Sequence, residues 1–190
     1  YYFCCSKKKM EKQIVSNKQF ELMIERLVYQ LIENHSNFLE TVIIGVQPRG
    51  VELSNRILEK IKKITNNQNI QSGNLDITFF RDDFGRRECP IEAQELDMNV
   101  SIEDKKVVLI DDVLFTGRSI RAAMDALMSF GRPKQVELLV LIDRRFKRHL
   151  PIQPNYVGKT VDSILSEKVI VRWDSNKKED NIILLNSEDD

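Results

Sequence analysis

The stretch Val107–Ser119, VVLIDDVLFTGRS, carries the strongest chemical signal in the chain. An apolar, β-branched run ends on two adjacent acids, Asp111 and Asp112. Val113, Leu114 and Phe115 follow, and Thr116-Gly117-Arg118-Ser119 opens a helical pattern. Ionised carboxylates only accept hydrogen bonds, so the acids suit the hydroxyls of a diol and not a phosphate. A glycine-bearing loop at a helix N-terminus offers free N–H groups and a favourable dipole to a phosphate. Thr116 and Ser119 add hydroxyl donors. Open α/β sheets bind ligands at the carboxyl ends of their strands. These residue types together predict a sugar-phosphate site, with phosphate at the loop and ribose hydroxyls at the acids. The plain alternative is a strand, turn and helix with incidental acids.

Two further clusters bear on chemistry. Gly45-Val46-Gln47-Pro48-Arg49-Gly50 has the glycine spacing of a Walker loop. Val51 and Glu52 stand where that loop needs a lysine and a hydroxyl, so it is not one. Asp143-Arg144-Arg145-Phe146-Lys147-Arg148-His149-Leu150 is the densest basic run of the folded part. A solvated loop face explains it as well as a binding patch does. His35 and His149 read as surface histidines rather than catalysts. Cys4, Cys5 and Cys89 lack metal-ligand spacing, and three cysteines cannot all pair, which fits a reducing cytoplasm.

Elements must hold these residues in place. Ser16 and Gln19 form a capping-box signal ahead of an apolar face running from Phe20 through Ile24, Leu27 and Leu31. TVIIGV at 41–46 and KVVLI at 106–110 read as strands buried on both faces. Ser54 to Ile64 and Ser119 to Phe130 read as helices, with Gly131 at a C-cap position. DITFF at 76–80 reads as a strand after a polar turn at 66–73. Residues 81–99 read as a long charged loop. Further strands are expected at 136–142, 168–173 and 182–185. The alternation of strand and helix predicts an α/β fold with a central, mostly parallel sheet flanked by helices.

Composition narrows the class. A chain of 190 residues, 42% apolar and 31% charged, suits one soluble domain. No apolar run approaches the roughly 20 residues of a spanning helix, so no membrane partner is expected. Basic and acidic residues balance at 29 each, so any nucleic-acid site must be a local patch. Residues 1–9, YYFCCSKKK, fit no element and read as a leader or upstream extension.

The 107–119 stretch resembles the phosphoribosyl pyrophosphate (PRPP) motif of type I phosphoribosyltransferases. GVQPRGVEL at 45–53, DITFFRDD at 76–83 and LLVLIDRRFKRHLPIQPNYVGKTV at 138–161 narrow the likeness. Over residues 10–185 the chain resembles the pyrimidine operon attenuator/uracil phosphoribosyltransferase family. The resemblance implies a single phosphoribosyltransferase domain over 10–190, with a hood at 143–165 and a mobile loop at 81–99. It implies transfer of phosphoribose from PRPP to uracil, giving UMP and diphosphate. A transferase for orotate or a purine is the alternative. Asp111 and Asp112 would orient the ribose, with Val113, Leu114, Phe115, Thr116, Gly117, Arg118 and Ser119 around the 5′-phosphate. Arg49, with Pro48 and Gly50, would meet diphosphate, as would Arg81, Arg86 or Arg87. Asp143 and Arg144 match the hood pattern, although Arg145 replaces its glycine and one residue is inserted before Leu150. Phe115 stands where purine enzymes carry an aspartate, which favours a pyrimidine.

The resemblance further implies Mg²⁺ bound with PRPP near Asp111 and Asp112, and held by no set of protein ligands alone. It implies a cytoplasmic homodimer or higher oligomer. As a second role it implies UMP- or UTP-responsive binding of pyrimidine-operon leader RNA, with Arg26, Arg145, Lys147, Arg148 and Lys159 as candidate contacts. Tyr29 and Gln153 stand where histidine and a basic residue are usual, so that face is only partly kept.

Overall fold

The computed structural model describes residues 11–82, 98, 100–162, 167–174 and 179–186. Five parallel strands form the main sheet in the order β3-β2-β4-β5-β6. These are β2 (Thr41–Val46), β3 (Gln71–Leu75), β4 (Lys106–Leu114), β5 (Gln135–Arg144) and β6 (Tyr156–Val161). All six residues of β2 are buried, which explains its unbroken apolar run. The pleat sends alternate residues to two cores. Ile43, Val108, Ile110 and Leu139 face α1 (Asn17–His35) and α2 (Arg49–Thr65). Val42, Ile44, Leu109 and Val140 face α3 (Arg118–Leu127), whose Ala122, Ala123 and Ala126 let it lie close. The small antiparallel sheet, in the order β1-β8-β7, comprises β1 (Glu11–Val15), β7 (Glu167–Arg172) and β8 (Asn181–Asn186). Its Val169, Val171, Ile182 and Leu184 join the α1/α2 core.

The predicted capping signal is present: the Ser16 N–H donates to Gln19 Oε1 at 3.0 Å. Other expectations need correction. DITFF is not a strand. Asp76 Oδ1 accepts from the Thr78 N–H at 2.8 Å and from its hydroxyl at 2.5 Å. That local bonding turns the chain into a 3-10 turn at Thr78–Phe80. The strand is instead the polar QSGNL of β3, an edge element held by its parallel register with β2. Helix α2 starts five residues earlier than Ser54. Gly50 allows this, because a Cβ there would lie 2.2 Å from the Ile110 carbonyl oxygen. Helix α3 ends at Leu127, with Met128 and not Gly131 at its cap. β1 and β6 are short and mixed in polarity, and no local pattern announces them. Residues 1–10, including the expected leader, lie outside the described residues.

Candidate active site

β4 runs four residues beyond its predicted end, through both acids to Leu114. The acids are therefore part of the strand, not a loop beyond it. Asp111 is 8% exposed and Asp112 4%. Asp111 Oδ1 accepts the Asp112 N–H at 2.9 Å. Asp112 Oδ2 is buried without a hydrogen bond, and Arg49 Nη1 stands 3.9 Å from it. Burial raises the affinity of both groups for protons. Burial first, and then the neighbouring Asp112, push Asp111 up to about 8. Asp112 is also raised by burial, against the opposing pull of Arg49. The pair thus has a backbone donor and a cation at its edge, and keeps the Asp112 Oδ2 atom without a hydrogen bond.

Beyond Leu114 the chain turns. Gly117 caps α3 with φ +90°, a left-handed conformation that favours glycine. A Cβ there would also come within 3.2 Å of Ile152 Cδ1. A cleft of about 320 Å³ opens over this turn. Asp111, Val113, Leu114, Phe115, Thr116, Gly117, Arg118, Ser119 and Ile120 line it, together with Arg81 and Asp82. Asp111, the start of α3 and the Thr116 and Ser119 residues thus line one concave surface, with Asp112 buried beside it.

The segment that follows β5 meets this turn. β5 pairs with β4 as far as Leu114 opposite Asp143, and a 3-10 turn at Arg145–Lys147 follows. The N–H groups of His149 and Leu150 donate to the Thr116 carbonyl at 3.0 and 3.3 Å. Arg148 Nη1 donates to the Phe115 carbonyl at 2.8 Å, and Nη2 pairs with Asp143 Oδ1. Arg144 is 6% exposed, donates to the Glu167 carbonyl at 2.8 Å and stacks 3.9 Å above the Phe115 ring. Burial lowers its pKa.

A phosphoribosyl transferase domain model matches residues 10–175. The chain is 46% identical over 167 residues to the "Bifunctional protein PyrR" of Actinobacillus succinogenes, covering 86% of this chain and 92% of that one. It is 39% identical over 174 residues to the protein of that name in Enterococcus faecalis, covering 92% and 96%. The chain belongs to the phosphoribosyltransferase family. Within it, the chain groups with the PyrR proteins. The hypoxanthine phosphoribosyltransferase of Trypanosoma cruzi has the same fold, with a TM-score of 0.68 at 16% identity over 93% of this chain and 97% of that one. A hypoxanthine-guanine phosphoribosyltransferase of Bacillus anthracis gives 0.63 at 18%, over 81% and 84%.

With the family fixed, the remaining candidates can be placed. Pro48 is exposed at the start of α2, after a cis Gln47–Pro48 peptide. Gly50 is packed against β4 and allows the close approach of α2. Of the 81–99 segment, Arg81 and Asp82 are described, while Asp83, Arg86, Arg87 and Cys89 lie outside the described residues. Asp82 pairs with Arg118 Nη1 at 2.9 Å and with Arg121 Nη2. Arg121 escaped the sequence reading because its partner is 39 residues away and no local spacing marks it.

The basic candidates separate. Arg145 is exposed and bidentate to Asp162, at 3.0 and 3.3 Å. Lys159 and Arg26 are exposed, and spend donors on the Ile14 carbonyl at 2.9 Å and on the Val157 and Gly158 carbonyls. Arg148 is turned inward and engaged, so it is not displayed as an exposed cation. The Lys147 side chain is not described. His35 needs correction: it is buried at 7% exposure, because β5 and β6 cover the end of α1. Its Nδ1 lies 3.1 Å from Thr41 Oγ1 and its Nε2 3.2 Å from Glu137 Oε2.

Proposed function

We propose that this chain transfers the 5-phosphoribosyl group of PRPP to uracil, releasing diphosphate and forming UMP. The observation that carries the reading is the buried Asp111–Asp112 pair beside the Gly117 turn. A carboxylate oxygen buried without a hydrogen bond is expensive, and a ribose diol supplies donors to it. The 5′-phosphate lies against the 115–119 turn, where free helix N–H groups and the Thr116 and Ser119 hydroxyls converge. Arg49, half exposed and 3.9 Å from Asp112, would meet the departing diphosphate, together with Arg81, which lines the cleft.

No side-chain nucleophile is required. As the bond from ribose C1 to diphosphate breaks, positive charge develops on the sugar and negative charge on the leaving group. The acids hold the sugar in line with the base and stabilise the sugar's charge, and the arginines take up that of diphosphate. Mg²⁺, bound with PRPP near Asp111 and Asp112, would neutralise diphosphate further. Among the described residues no cluster of three or more metal-binding side chains stands ready without it. The uracil assignment rests on the relatives named above and on Phe115, which offers no carboxylate to a purine imidazole. Asp143 and Arg144, beside Phe115, are the groups assigned to the base.

The second proposed role is binding of pyrimidine-operon leader RNA, with UMP or UTP as effector. Arg145, Lys159 and Arg26 supply its exposed cations, with Lys147 as a further candidate. Incubation with uracil, PRPP and Mg²⁺ tests the enzyme: UMP formation is expected. Turnover of a different base with none of uracil would sink the assignment.

A further inference from the structure

The base-binding hood and the phosphate turn are about 30 residues apart in sequence, yet one side chain bridges them. Arg148 places one guanidinium nitrogen on the Phe115 carbonyl at 2.8 Å and another on Asp143 Oδ1. Both side chains are largely covered, at 18% and 14% exposure. The backbone closes the same seam, since His149 and Leu150 both donate to the Thr116 carbonyl. Gly117 completes it, having no Cβ to push against Ile152 and Leu150. We infer that Arg148 is a positioning residue that makes the phosphate turn and the base-recognising hood one mechanical unit. This rests on the transferase reading above.

The chemistry explains why an arginine stands there. A planar guanidinium can serve two acceptors in different directions at fixed geometry, which an ammonium on a flexible stem does not reproduce. Because the Phe115 carbonyl belongs to the turn and Asp143 to the hood, a shift in either is felt by the other. Filling the turn with a phosphate therefore settles the hood, and a bound base settles the turn. The expected consequence is positive coupling between the two half-sites, equal in both directions.

Arg148→Lys and Asp143→Asn test this beside the unaltered protein. Each should melt within about 4 °C of it, because the cores are untouched. Amide exchange should rise over residues 113–120 and stay unchanged in α1. Turnover per KM should fall by about 10²-fold, with KM raised for both PRPP and uracil, since both half-sites lose alignment. Saturating uracil should tighten ribose 5-phosphate binding in the unaltered protein by about tenfold, and by nothing in either variant. The double variant should be no worse than the worse single one. Unchanged exchange over 113–120, or a rise in one KM alone, would overturn the clasp. Should the unaltered protein fail to use uracil, the base assignment is what fails, and the exchange pattern still decides the role of Arg148.

Discussion

The two ends of the main sheet both bury acids, and they treat them in opposite ways. At the amino end, Glu137 accepts from the Tyr156 hydroxyl at 2.6 Å and from Gln135 Nε2 at 3.1 Å, with His35 Nε2 beside it. Asn34 in turn donates to the Tyr156 hydroxyl at 3.1 Å. Each polar atom there has a partner. At the carboxyl end, Asp111 and Asp112 crowd one another, and Asp112 Oδ2 has no hydrogen bond. A buried polar group left unpaired costs about 1–3 kcal/mol. The first cluster is satisfied within the fold. Asn17, Gln30, Trp173 and Asn181 also bury an atom without a hydrogen bond, so it is the cleft beside Asp111, and not the unpaired oxygen alone, that supports a ligand role for the acid pair. The buried Arg56, bonded to Glu52 at 2.9 Å, to Asp180 and to the Asp174 carbonyl, belongs with the first kind.

The sharpest way to break this comparison is to neutralise each end. Asp111→Asn with Asp112→Asn should abolish UMP formation, by about 10³-fold or more, because these groups act on the charged transition state. Its melting temperature should hold or rise, since amides carry no cost of ionisation in this buried place. Near-normal turnover would refute the sugar assignment. Base choice is the next largest effect. Uracil should exceed hypoxanthine and guanine by about 10³-fold in kcat/KM, because polar groups placed for one base stay unpaired with another. Comparable rates with a purine would show Phe115 to be misread.

Glu137→Ala should do the reverse of the active-site change. It leaves Tyr156 and the neutral His35 without their buried acceptor and should cost about 1–3 kcal/mol of stability in chemical denaturation. kcat per folded molecule should be unchanged. Loss of turnover without loss of stability would blur the distinction between the two ends.

The two ends should also titrate in opposite senses. The folded pKa of Asp111 lies above its unfolded value, so the stability it contributes is present at low pH and lost as pH rises toward about 8. The folded pKa of His35 is lowered, chiefly by burial, so its contribution is present above about 6.5 and lost below. Asp111→Asn should therefore gain more in melting temperature at pH 8 than at pH 5. An equal gain at both pH values would contradict the raised pKa. The smallest expected effect concerns RNA. Arg145→Ala with Lys147→Ala should flatten the slope of log affinity against log salt by about 0.7 for each phosphate of unpaired RNA no longer neutralised, and spare uracil turnover. Native leader RNA bound no better than scrambled RNA would leave only the enzyme.

The sequence by itself determined much of this protein. The β-branched runs of β2, β4 and β5 and the apolar stripes of the helices require a sheet covered on both faces. Asp111, Asp112 and the Thr116–Ser119 turn are contiguous, so that they lie close together follows from the sequence. Tertiary structure decided the rest, and the reason is distance along the chain. The burial of the two acids depends on β4 continuing between its neighbours, which no local period encodes. β1 gains its place by pairing with β8, register by register from the far end of the chain. QSGNL becomes a strand only because β2 lies beside it, while DITFF loses that role to the bonds of Asp76. Arg148 looked like one more cation in a basic run. Only the return of the hood onto the Phe115 carbonyl turned it inward, because a guanidinium takes the acceptors that folding brings within reach.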